Sequence, residues 1–89
     1  MEANIAKLEA RLRVWNAMIE KLAAKADKAR GQARLDSQYN VDDLKAKRAV
    51  ARARLSEYKA AGDELQDGFG VRLEIAWSDL ENAFKELRH

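Results

Sequence analysis

Glu86-Leu87-Arg88-His89 has the Glu-x-x-His spacing with which helical bundles hold di-iron centres. Such a centre needs a second pair of the same kind and further carboxylates facing it, and His89 is the only histidine, at the last residue of the sequence. Terminal residues are usually mobile, so it is read as a frayed end and a poor general base. Asp63, Glu64 and Asp67 could hold a cation on one helical turn. A first helical turn attracts acids anyway through its exposed N–H groups and dipole, so capping is the simpler reading. There is no cysteine, no Gly-rich phosphate loop and no Ser/His/Asp set, which leaves no thiolate, nucleotide-cradling or triad chemistry to assign. The expectation is a protein with no catalytic residue, no cofactor and no metal, and not an enzyme.

Lys45, Lys47, Arg48, Arg52 and Arg54 form the densest basic cluster. A phosphate backbone would reward it through counterion release. On a helix, however, Lys47 and Arg54 point away from Arg48 and Arg52, and no aromatic is interleaved for base stacking. Solvated or seam-flanking charge is therefore preferred to nucleic-acid binding. Charge is unevenly spread. Residues 1–24 carry four bases and three acids, residues 25–60 ten and five, and residues 61–89 three and seven. A basic middle and an acidic tail suit pairing within or between chains.

The elements that would carry these groups are helices. The 89 residues include 17 Ala and no Pro, with 36% charged and 47% hydrophobic side chains, a mixture that favours long helices over disorder. From Ile5, apolar residues fall at Leu8, Leu12, Trp15, Ile19, Leu22, Ala26, Ala29 and Ala33, in steps of three and four that make an a/d seam. The seam resumes at Val41, Leu44, Ala51, Leu55 and Tyr58, with Arg48 in a slot where an apolar residue is due. This predicts one helix over about 3–61, with a break near 37–41 as the alternative. Gly62-Asp63 reads as a corner, a helix C′ glycine followed by an N-cap. A last helix over about 64–88 then aligns Leu65, Phe69, Leu73, Ala76, Leu80, Ala83, Phe84 and Leu87. The alternation of Phe69, Val71, Leu73, Ile75 and Trp77 is also a strand pattern. As helix, the same stretch sends Val71 and Ile75 away from the main face, where they offer a second contact surface. Antiparallel packing about Gly62 would set Leu80 near Leu44 and Leu73 near Ala51, with Asp67, Glu74 and Glu81 alongside Arg48, Arg52 and Lys59.

The run from Trp15 to Ala29, WNAMIEKLAAKADKA, with Tyr39, the segment Leu55 to Gly62 and Ala76-Trp77-Ser78-Asp79-Leu80, resembles a family of short bacterial coiled-coil proteins, some labelled stress-response proteins. The resemblance covers most of the chain and implies a small bacterial helical protein without catalysis. It departs from the family's pattern at Asp67 to Ile75.

The fold class expected is all-α: long amphipathic helices in an antiparallel coiled-coil hairpin or three-helix bundle, one domain over 1–89, completed by homo-oligomerisation. Ile5, Leu8, Leu12, Trp15, Ile19, Leu22, Val71, Ile75 and Trp77 are the expected oligomer or partner interface. Trp15 is also read as core, and Trp77 lies where core and interface readings both stand. The function expected is a self-associating structural or protein-interaction role in the cytoplasm, in a homodimer or larger assembly and with an unidentified protein partner. The alternatives are a membrane-surface binder using Phe69, Leu73, Trp77, Leu80 and Phe84, and a nucleic-acid binder through 45–54. The acidic polar face of the last helix disfavours anionic lipid.

Overall fold

A computed structural model describes residues 5–61 and 66–87, and the side chains of all of these but residues 66 and 67. Three helices account for nearly all of them: α1 (Ile5–Lys28), α2 (Gln32–Ala60) and α3 (Gln66–Glu86). They form an antiparallel three-helix bundle measuring 51 × 19 × 18 Å. The alternating stretch 69–77 is helical, and no strand occurs among the described residues. Only Phe69, Leu73 and Trp77 of its five large residues turn inward; Val71 and Ile75 are exposed.

The first break does not lie near 37–41, nor is 3–61 one helix. The chain turns at Ala29-Arg30-Gly31. Lys25 and Lys28 occupy the last turn of α1, where cations offset the carbonyl end of the dipole. The N–H of Ala29 reaches the carbonyls of Lys25 and Ala26 at 3.0 and 3.3 Å, closing that end. Gly31 has φ 63° and ψ −139°, a conformation almost confined to glycine, and its carbonyl accepts from the N–H groups of Arg34 and Leu35. Residues 37–41 run through as helix. The corner expected at Gly62-Asp63 lies outside the described residues. Before it, α2 ends at Ala61, which is extended and donates its N–H to the Glu57 carbonyl at 3.0 Å.

The core is a single stack: Leu12, Trp15, Ile19 and Ala26 from α1; Val41, Leu44, Ala51, Leu55 and Tyr58 from α2; Leu73, Ala76, Leu80, Ala83 and Phe84 from α3. Ile19, Leu44, Leu73 and Leu80 are its largest fully buried members, each contributing roughly 1.5–3 kcal/mol by leaving water. α2 packs along both neighbours. Among the described residues, α1 and α3 never bring two Cα atoms within 8 Å. Their contact is made by rings: Trp15 lies 4.9 Å from Trp77, tilted by 48°, and 5.7 Å from Phe84, nearly parallel at 18°. The indole of Trp15 thus bridges two helices whose backbones stand apart.

Candidate functional site

The expected interface residues divide into three groups. Leu12, Trp15 and Ile19 are buried within the chain, and Ile5, Leu8 and Leu22 are half-buried against the same core. The α1 seam is thus covered within the chain, in keeping with the three-helix-bundle alternative, with the fold-back at Gly31 rather than near 37–41. Trp77 is half-buried against Trp15 and closes the α1–α3 contact, so it too serves the core. Val71 and Ile75 are 56% and 59% exposed. Of the nine expected positions, these two alone stand free of the core.

Three more large apolar side chains join them. Leu35, Tyr39 and Val50 of α2 are 61%, 74% and 48% exposed. Val50 lines a shallow groove with Ala46, Lys47, Ala76 and Asp79, on the flank of α2 that meets α3. At 3.6 residues per turn, Leu35, Tyr39, Ala46 and Val50 share one stripe, and Ile75 sits one turn before Asp79. The outer side of the α2–α3 pair, away from α1, therefore carries Leu35, Tyr39, Val50, Val71 and Ile75. The remaining exposed large apolar residue, Val14, is on α1.

Two ion pairs lie on that side. Lys47 Nζ donates to Asp43 Oδ2 at 3.0 Å, and Arg54 Nη1 donates to both Glu57 oxygens at 3.0 and 3.2 Å. The Asp43 hydrogen bond raises the Lys47 pKa above its ordinary value, aided by the charges of Asp43, Glu86 and Asp79 and opposed by partial burial. Asp79 and Glu86 are thus the α3 acids whose charges act on Lys47, and Asp79 lines the groove beside it. Lys59 instead reaches Glu9 of α1 at 3.1 Å. No family model, curated protein or solved structure matches this chain.

The basic cluster is dispersed by these engagements. Arg48 takes the apolar slot and donates from Nη1 to Asn16 Oδ1 at 3.2 Å, while its buried Nε has no hydrogen-bond partner. Lys45 and Arg52 remain exposed. Leu73, Leu80 and Phe84, three of the five residues expected to enter a headgroup layer, are buried in the core. Among the described residues, no group of three or more His, Asp or Glu side chains is placed to hold a metal, and no helix is long and apolar enough to cross a membrane. Asp63, Glu64, Arg88 and His89 lie outside the described residues, so neither motif that involves them is described whole.

Proposed function

We propose that this protein is a non-enzymatic structural or interaction module of the bacterial cytoplasm that self-associates through the outer side of its α2–α3 pair. The observation that carries this reading is the gathering of Leu35, Tyr39, Val50, Val71 and Ile75 on one side of a bundle whose other large apolar residues among those described, Val14 apart, are buried or half-buried. A second copy is the occupant for two reasons. α2 and α3 are 29 and 21 residues long, ~43 and ~31 Å at 1.5 Å per residue, in a bundle 18–19 Å across, so their outer side is on the scale of the ~800 Å² per partner that a stable interface buries. Its pairs Asp43–Lys47 and Arg54–Glu57 are internally balanced, so neither pair presents an excess of like charge to a second copy. The two-fold contact this implies is isologous, each residue meeting the same patch on its partner.

The test is sedimentation of the unmodified chain and of Val71→Lys/Ile75→Lys at tens of micromolar, with helicity followed by circular dichroism. A dimer or larger for the first and a monomer of equal helicity for the second are expected. A monomeric unmodified chain, or unchanged assembly of the variant, refutes the reading.

A further inference from the structure

A second surface of different character lies between α1 and α3. Because Trp15 holds these helices apart, the space beside it on the α1 C-terminal side is left as a slot of about 280 Å³, with Met18, Leu22, Phe84 and Leu87 as its floor and Lys21 and Lys25 on its rim. It adjoins a smaller hollow that shares Met18 and Phe84 and reaches Arg11, whose guanidinium lies 5.4 Å above the Trp15 ring. Among the described residues neither Lys21 nor Lys25 has an ion-pair partner. The two are four apart on one helix and repel each other. Lys25 complements the carbonyl end of α1, but Lys21 stands outside the last turn, where that compensation has faded.

We propose that this slot binds a single-chain anionic amphiphile of the alkyl carboxylate class, its chain along Met18, Leu22, Phe84 and Leu87 and its carboxylate between Lys21 and Lys25. Charge complementarity selects the head group: an anion placed there relieves the lysine–lysine repulsion, whereas a cation adds to it. The dimensions select the tail. One turn of helix, 5.4 Å long and ~10 Å across with its side chains, fills ~420 Å³ and exceeds the slot's 280 Å³, whereas a single alkyl chain is slender enough for it. The volume, about 280 Å³, falls just below the ~300–1,000 Å³ range of small-molecule pockets, as suits a ligand with one slender chain. Met18 suits such a floor, since an unbranched thioether adapts to irregular apolar shapes.

Trp15 and Trp77 supply the readout, Trp15 lining the adjoining hollow. Tryptophan emission of the full chain is titrated with dodecanoate below its micellar range, and in parallel with dodecyltrimethylammonium. A saturable change with the carboxylate and none with the cation is expected. In Lys21→Glu/Lys25→Glu the carboxylate should bind at least about tenfold more weakly. Should that variant lose helicity, Lys21→Gln/Lys25→Gln takes its place, with weakening in the same direction. An absent or unsaturable response, an equal response to both amphiphiles, or undiminished binding by the charge variants overturns the proposal. So does binding of an acidic helical peptide where dodecanoate fails.

Discussion

Replacing Arg48 by methionine should make the protein more stable. Arg48 stands where the α2 seam calls for an apolar side chain, and two opposing quantities decide the sign. Its buried Nε lacks a partner, and an unsatisfied buried donor costs ~1–3 kcal/mol. Against this stands one hydrogen bond, from Nη1 to the neutral Oδ1 of Asn16 at 3.2 Å, worth ~1.5–3 kcal/mol at most for a charged donor and less where both groups are only part-buried. Those two nearly cancel. What remains is the apolar surface that methionine buries beside Ala51 and Leu44, at ~0.8 kcal/mol per methylene. A net gain of about 1 kcal/mol follows, at the low end of the range seen when buried charged groups give way to hydrophobic ones. In a domain this small it corresponds to a rise of ~4–8 °C in Tm. Thermal and urea unfolding, monitored by circular dichroism, measure it directly. Asn16→Ala, made alone and with Arg48→Met, completes a double-mutant cycle and isolates the pair's coupling. Destabilisation by Arg48→Met of more than about 1 kcal/mol, with coupling of similar size, would show that the Asn16 bond outweighs the stranded Nε and would refute the argument.

Trp15→Ala should cost ~3–5 kcal/mol and move Trp77 into water, seen as a red shift of the remaining tryptophan's emission; a smaller loss with an unshifted spectrum would mean that the ring cluster is not the α1–α3 contact. Gly31→Ala should cost ~1–3 kcal/mol because φ 63° with ψ −139° strains any side chain, measured by urea unfolding and contradicted by a neutral result. Gly68→Ala has the opposite sign: a methyl there meets nothing within 4 Å, so a gain in helix propensity should appear in the same assay, up to the ~0.5–1 kcal/mol of a helix interior because Gly68 lies in the first turn of α3. Asp43→Asn should lower the pKa of Lys47, read by NMR titration of its side chain, since the Asp43 hydrogen bond is the main cause that raises it.

Large residues on a three-four spacing were legible in advance. Leu12, Trp15, Ile19, Leu44, Leu55, Leu73 and Leu80 all lie in the core, and Val71 and Ile75 lie outside it, because 100° per residue settles which side of a helix each faces. Alanine hid the first turn. Ala26, Ala29 and Ala33 continue the spacing through Gly31, but a methyl is too small a signal of burial: Ala26 is buried while Ala33 is exposed. A glycine needing positive φ leaves no mark on hydrophobic periodicity. The strand-like alternation from Phe69 to Trp77 misleads for a related reason, since on a helix two of its five residues simply face water. The lysine-rimmed slot was beyond reach, as it joins Met18 and Lys21 to Phe84 and Leu87 through space, across a register set by side-chain size. The stranded Nε of Arg48 was half visible: the misplaced residue showed in the heptad, its lack of a partner only in the fold.

The bridging of α1 and α3 by side chains, with backbones apart, bears on how the bundle comes apart. Each helix packs its backbone only against its neighbour in sequence, so the chain holds two overlapping helical hairpins that share α2. Such a fold has low contact order and should assemble rapidly, within microseconds to milliseconds. It also has a preferred line of fracture. α1, which gives the core four buried residues against five each from α2 and α3, should swing away about Gly31 while α2 and α3 stay docked. Amide hydrogens of α1 should then exchange as one cooperative group at a lower free energy than those of central α2, which is covered on both flanks.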